Sequence, residues 1–335
     1  MVTNGDDAVT VVPVRHVSQW IAGVVALVFV AMLVHTLLSK VPSGQVACRI
    51  INGVRTCHSV VAWRFSWNIV GQYFTTSEVL HGLVTTLELT VISMSIGIVF
   101  GVTIAIMRLS PNRLLSSTAW SYTWFFRGTP IYVQLLFWFN VAAIYPKVTI
   151  GLPFLPVTFV HLNFNSIFVP FVAAFVAFGL NEVAYMSEIA RSGLIAVDEG
   201  QVEAASSLGM TRGQALRFVV LPQAMRVIIP PTGNEVISML KTTSLAAAIS
   251  VIELTGAVQN IYAANFEVIP LLIVASIWYL IVTTILSIGQ FYLERHFGRG
   301  ALRTPPPTPI ARLRSDVRGI LAKFRTPRVA RGVRA

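Results

Sequence analysis

The chain has 335 residues, of which 55% are hydrophobic and only 12% charged, against about 25% charged in soluble domains. Its mean hydropathy of +0.71 excludes an ordinary water-soluble domain and predicts a protein integral to a membrane. The formal net charge of +11 is uneven, because residues 299–335 hold ten Arg and Lys side chains against one acid, Asp316.

A helix needs about 20 apolar residues to cross a hydrocarbon core, and six stretches qualify: 17–38, 80–107, 117–143, 166–190, 223–252 and 268–293. No repeat of 20–50 residues is visible, so one bundle is expected. The first stretch follows Arg15 and lacks a small-residue cleavage site before Pro42, which reads as an uncleaved anchor rather than a signal peptide.

Residues 39–79 form the first loop and contain both cysteines of the chain. Asn52-Gly53 is a strong two-residue hairpin signal. A turn there pairs Ile51 with Val54 and, three steps out, Cys48 with Cys57. That pair falls at a non-hydrogen-bonded position with Cα atoms about 4.5 Å apart, within the reach of a disulfide. A Cys48–Cys57 bridge is therefore expected.

In 117–143 the sequence "FFRGTP" interrupts the apolar run, with Thr129 expected as N-cap and Pro130 as the first residue of a second helix. Interrupted helices at membrane depth mark substrate sites, where freed backbone groups and a positive helix end meet a carboxylate. The fourth stretch carries Glu182, Tyr185 and Glu188 at three-residue steps, the first two on one face. In the fifth, "GNEVISMLKTTSL" is expected to interrupt the span after Pro230-Pro231.

Burying a charge in a span costs on the order of 3 kcal/mol on insertion scales, so such residues line a pathway or pair with one another. The candidate pathway residues are Arg127, Thr129, Gln134, Glu182, Tyr185, Glu188, Asn234, Glu235, Lys241, Thr242 and Ser244. Glu88 and Arg127 lean toward internal pairing; Glu182, Lys241 and Thr242 fit either role.

Between the fourth and fifth stretches lies a charged, helix-forming segment, "EGQVEAASSLGMTRGQALRFVVLP" (199–222). The Arg and Lys distribution near the span ends places this loop, both termini and the tail in the cytoplasm, and Lys40, Arg49, Arg55, Arg64 and Lys147 outside. Beyond "TPPPTP", Ile310, Leu313, Val317, Ile320, Leu321 and Phe324 recur at three- and four-residue steps opposite Arg and Lys. The tail thus reads as an interfacial helix on anionic lipid or as a disordered tail; lipid is favoured over nucleic acid as its partner.

Within 199–222, Glu203-Ala204-Ala205, three residues, Gly209, nine residues, Val219, one residue and Leu221-Pro222 resemble the EAA motif of the membrane subunits of ATP-binding-cassette importers, with Val219 in place of the usual Ile. From Gly82 to Phe297 the chain is similar to the permease subunits for polar amino acids, through "GLVTTLELT", "RGTPIYVQLLF", "AYMSEIARSGL", "LPQAMRVIIPP", "NEVISMLKTTSL" and "IELTGAVQNIY". The resemblance implies an all-α integral membrane fold of six transmembrane helices. Residues 1–38 would form the N-terminus and an extra helix, 39–79 an outer loop, 80–297 a five-helix type I importer core, and 298–335 a basic tail.

It also implies a cytoplasmic (inner) membrane location and import of polar or charged amino acids. The implied partners are a cytoplasmic ATPase dimer, an extracytoplasmic substrate-binding protein and a second permease, identical or homologous. Glu203, Ala204, Ala205, Gly209, Leu221 and Pro222 then belong to the coupling helix that docks in the ATPase.

The chain itself reads as no enzyme and without a cofactor of its own. None of Lys40, Lys147, Lys241 or Lys323 follows the Gly of a phosphate loop, so ATP and Mg belong to the partner. The six His are scattered, with no i, i+4 pair, so no metal site is expected. A secondary transporter would leave the coupling loop unexplained, and a membrane scaffold would leave the polar residues at depth unexplained.

Overall fold

The computed structural model describes residues 17–51, 54–63, 66–151 and 158–297, which form two units, Met1–Phe74 and Thr75–Ala335. The first unit contains helix α1 (Val17–Leu38), strands β1 (Lys40–Ile51) and β2 (Val54–Trp63), and the short helix α2 (Trp67–Tyr73). The strands pair antiparallel, with Ile51 opposite Val54 and Cys48 opposite Cys57. This is the register expected from a two-residue turn, although Asn52 and Gly53 themselves lie outside the described residues.

The second unit is a helical bundle. Helix α3 (Ser77–Arg108) turns at Asn112, whose side chain accepts the Leu114 N–H at 2.9 Å, into α4 (Arg113–Gly128) and then α5 (Ile131–Ile144). A hairpin of β3 (Lys147–Gly151) and β4 (Thr158–Asn163) leads through α6 (Phe164–Ile167) into α7 (Pro170–Ile195). Helices α8 (Glu199–Ser207), α9 (Arg212–Ala215), α10 (Leu221–Thr242), α11 (Leu254–Asn265) and α12 (Val268–Phe297) complete it.

The β1–β2 hairpin is the one expected from Asn52-Gly53, whereas β3–β4 is an addition to the all-α expectation; both occupy connections between helices. Helices α3, α7 and α12 are long and apolar enough to cross a membrane. Arg212–Ile249 and Leu254–Asn265, bent by 44°, make a fourth span if taken together. The expected span 117–143 is two helices, α4 and α5, broken at the expected interruption, "FFRGTP".

The fifth span also differs from expectation. Residues Pro230 and Pro231 lie inside α10, which runs through them without a break. A proline removes one helical N–H and crowds the carbonyl four residues back, but neighbouring helices re-satisfy freed groups at membrane depth. The carbonyls these two prolines free are those of Arg226 and Val227. Beside the prolines themselves, Gln290 of α12 donates to the Pro230 carbonyl at 3.2 Å and to Asn234 Oδ1 at 3.1 Å, which ties α12 to α10 at this point. The helix tightens later, into a 3-10 stretch at Thr243–Ile249. At the other end, just before Pro222, Leu216–Val220 widens to a π turn in which the Leu221 N–H donates to the Leu216 carbonyl, an adjustment that accommodates the proline ring.

The centre of the bundle is the seam between α3 and α7. Gly97 and Gly101 stand one turn apart on α3, a spacing that lets backbones approach closely in a membrane. A Cβ on Gly97 would lie 2.4 Å from Glu182 Cγ, and one on Gly101 would lie 2.6 Å from Met186 Cβ. Around this seam Leu89, Leu135, Ala173, Ala177, Phe178 and Met186 are buried. Val91, Val99 and Ile106 of α3, with Leu280 and Ile285 of α12, face outward, as a lipid-facing surface does.

A second fixed point is Glu253, fully buried at the N-cap of α11. Its carboxylate accepts the N–H groups of Thr255 (2.9 Å) and Gly256 (2.8 Å) and the Tyr279 hydroxyl of α12 (3.0 Å). Thr86 of α3 lies 3.3 Å from the same carboxylate and accepts the Leu254 N–H. One side chain thereby ties α3, α11 and α12 together.

Candidate functional site

The site begins where the apolar run 113–144 breaks. Helix α4 ends at Gly128, Thr129 is its C-cap, and Pro130 is the N-cap of α5 with Ile131 as first helical residue. The assignment of Thr129 as N-cap and Pro130 as first helical residue is thus shifted by one. The Thr129 hydroxyl instead donates back to the Phe125 carbonyl at 2.9 Å. Carbonyls freed by the break are met by side chains: Gln134 Nε2 donates to Phe126 O (2.9 Å) and Thr129 O (3.1 Å), and Asn181 Nδ2 donates to Phe126 O (2.9 Å). The break is therefore a built feature, held by α5 and α7.

This break opens onto a cavity of about 440 Å³ lined by α4, α5, α7 and α10. Of the expected pathway residues it brings together Arg127, Thr129, Glu182, Tyr185, Glu235 and Thr242, while Gln134 holds its rim from behind. The Arg127 guanidinium stands 5.3 Å from the centre of the Tyr185 ring, a cation–π distance. Glu182 is only 2% exposed, and its Oε1 is buried without a hydrogen-bond partner. An unpartnered buried carboxylate oxygen is costly and makes a strong acceptor for a ligand's N–H.

Four expected residues lie elsewhere. Glu188 is paired with Arg108 of α3 at 2.8 Å and with Arg191 one turn on. Asn234 accepts from Gln290. Lys241 and Ser244 line a separate cavity of about 340 Å³ with Ser276, Tyr279, Leu280 and Thr283. The cavity also uses Asn181, Ser238 and Met239, which the sequence reading missed. Asn181 precedes Glu182 by one and Tyr185 by four, a spacing that signals the shared helix face. Nothing comparable marks Ser238 or Met239.

The charged segment folds as two short helices. Asp198 caps α8 by accepting the Gly200 N–H at 2.8 Å. At the other end Gly209 takes φ +78°, the Gly209 N–H donates to Ser206 O, and the Met210 N–H donates to Ala205 O. This is the paired closure of a Schellman motif, which needs a left-handed residue at that position. Thr211 and Gln214 then form a capping box that starts α9.

The resulting knob presents Val202, Glu203, Ala204 and Leu208 outward, Leu208 being 79% exposed. Leu221 and Pro222 are exposed as well. Ala205, by contrast, is buried against the chain itself.

The sequence of residues 97–299 matches the family described as binding-protein-dependent transport system inner membrane component. The chain belongs to this family. It is 40% identical over 92% of its length to the arginine transport system permease protein of Corynebacterium glutamicum, covering 89% of that relative. It is 36% identical to the nopaline transport system permease protein of Agrobacterium fabrum over 65% of its length, covering 89% of that protein. Among solved structures it resembles one described as an amino acid ABC transporter with histidines, at 33% identity and a TM-score of 0.58, over 68% of this chain and 98% of that one. The chain is thus a multi-pass inner-membrane transport component.

Proposed function

We propose that this chain is the permease subunit of an ATP-driven amino-acid importer and that its substrate is an amino acid with a cationic side chain. The single observation that carries the substrate class is the charge of the 440 Å³ cavity: two carboxylates, Glu182 and Glu235, against one guanidinium, Arg127. Arg127 and the N-terminal end of α5 at Pro130 and Ile131 suit the α-carboxylate, since a helix N-terminus favours an anion. One carboxylate suits the α-ammonium. The other, with the unpartnered Glu182 Oε1, is left for a guanidinium or ammonium on the substrate side chain. The relatives named for arginine and nopaline transport accord with this reading.

In this reading the chain pairs with a second permease, identical or homologous, and receives substrate from an extracytoplasmic binding protein. The α8 knob docks on a cytoplasmic ATPase that supplies ATP and Mg chemistry, and both termini lie in the cytoplasm. Coupling through α8 follows from its shape: a capped, closed helix with an exposed apolar and acidic face transmits a push without melting. The Cys48–Cys57 pairing then lies on the oxidising side, where a disulfide persists.

The test is uptake by the complex reconstituted with its ATPase and binding protein. Arginine and lysine should compete with each other, glutamate should not, and Glu182→Gln should raise the apparent KM for arginine by about tenfold or more, the loss of one charge-assisted hydrogen bond. Unchanged arginine KM in Glu182→Gln, or preferential glutamate uptake by the native protein, would overturn the substrate assignment.

A further inference from the structure

A second cavity, of about 450 Å³, opens where α3 passes to α4 and is lined by Arg108, Leu109, Ser116, Ser117, Trp120, Ser121 and Arg191. It shares no residue with the cavity around Glu182. Arg108 is the last residue of α3, and Arg191 lies in the last turns of α7, four residues before that helix ends and leads into α8. The cavity therefore sits at the end of the bundle that carries the α8 knob.

Its charge is unbalanced. Two guanidinium groups share one carboxylate, Glu188, and no carboxylate lines the cavity itself. Arg108 spends one nitrogen on Glu188 and Thr123, whereas the Nε–H of Arg191 is buried without any partner. The Ser116 hydroxyl is used, donating to Arg108 O at 3.1 Å. The hydroxyls of Ser117 and Ser121, one turn apart on α4, make no side-chain hydrogen bond within the described residues. The cavity wall thus carries two guanidinium groups, two serine hydroxyls and net positive charge, the complement of a phosphate oxygen cluster.

The surroundings choose the source of the phosphate. Trp120 and Trp124 stack at 6.2 Å between ring centroids and are 53% and 65% exposed. Exposed indoles on a spanning protein mark headgroup level, and Trp120 is itself part of the cavity wall. Leu114, Leu115 and Phe125 are also exposed on α4, giving apolar surface for an acyl chain. A soluble phosphate would find the donors but would leave this apolar border uncovered.

We infer that the cavity between α3, α4 and α7 is a binding site for the phosphodiester of an anionic phospholipid in the leaflet on the α8 side. Basic pockets between membrane helices at this level suit anionic headgroups. A lipid held there bridges the ends of α3 and α7, the two helices whose seam carries Glu182, α7 leading on into α8.

The test uses the full-length chain in neutral detergent, with dioleoyl phosphatidylglycerol, dioleoyl phosphatidylcholine and inorganic phosphate as probes. Native mass spectrometry should show retention of phosphatidylglycerol over phosphatidylcholine. The double variant Ser117→Leu/Ser121→Leu, which fills the cavity without touching the ion pairs, should lower that retention by about tenfold, the scale expected from losing one to two basic contacts. Because the basic tail is present in both proteins, the difference isolates the cavity.

A near-isosteric variant, Ser121→Cys, guards against misfolding. Its maleimide labelling, read above that of the native chain, should slow severalfold with phosphatidylglycerol and not with phosphatidylcholine. Equal lipid retention by native and double-variant chains, or labelling of Cys at 121 indifferent to phosphatidylglycerol, overturns the proposal. Displacement of the lipid by millimolar inorganic phosphate overturns the lipid source. Protection of that cysteine by the partner ATPase, with none from lipid, would show a protein contact instead.

Discussion

Substituting Gly97 by Ala tests the α3–α7 seam at its tightest point. The added Cβ would lie 2.4 Å from Glu182 Cγ, 2.9 Å from Glu182 Cβ and 3.3 Å from the Glu182 carbonyl carbon. Carbon atoms settle at about 3.5–4.0 Å, so the two helices must part by about 1 Å or Glu182 must leave its rotamer. Overpacking of this kind typically costs about 1–3 kcal/mol. The control is Gly289→Ala on exposed α12, where the new methyl meets nothing within 4 Å and helix propensity gains up to about 1 kcal/mol.

Thermal unfolding of the purified chain in one detergent at one scan rate should then show Gly97→Ala several degrees below native and Gly289→Ala at or above it. In a Glu182→Ala background the first clash is gone, so Gly97→Ala should cost less there, a non-additivity expected only for residues in contact. Equal midpoints for the two glycine variants, or strict additivity with Glu182→Ala, would refute the close seam.

For the knob, Gly209→Val places a β-branched residue at φ +78°, at a cost of about 1–2 kcal/mol or more; uptake should be lost while membrane insertion is kept. Glu203→Lys reverses a charge at an exposed position and should weaken ATPase co-purification without lowering thermal stability. Glu253→Ala strands the N–H groups of Thr255 and Gly256 and leaves the Tyr279 hydroxyl only its Thr255 hydroxyl partner, at about 1–3 kcal/mol for each buried donor left unpaired. It should sharply reduce folded yield, whereas Tyr279→Phe should cost far less in the same melting assay. For the outer hairpin, maleimide labelling of denatured, unreduced protein should find neither Cys48 nor Cys57; two labelled thiols would end the disulfide reading.

Much of this was legible because membrane residues obey few constraints. Apolar length alone located 17–38, 80–107, 166–190 and 268–293 within a few residues of α1, α3, α7 and α12. Hairpin chemistry set the Cys48–Cys57 register, since a two-residue turn leaves one pairing. Gly209 announced its turn because few residues tolerate that backbone. The prolines were less informative: Pro130 stands at the break between α4 and α5, whereas α10 runs straight through Pro230 and Pro231. Helix α10 is held at this point by neighbours such as Gln290 of α12, which donates to Pro230 O and Asn234 Oδ1, and a partner 60 residues away leaves no local signal.

The same reason divides the candidate residues. Composition, span length and the charged segment 199–222 determined that this is a multi-pass membrane component with an exposed helical knob between two spans, because those properties are local to the chain. Only the tertiary structure decided that Arg127, Glu182 and Glu235 share one cavity while Glu188 is spent on Arg108 and Arg191 and Lys241 faces Tyr279 and Thr283. A charge at membrane depth must find a partner or a pathway, but which of the two depends on helix rotation. Here that rotation is set by Gly97 and Gly101 letting α3 press against α7.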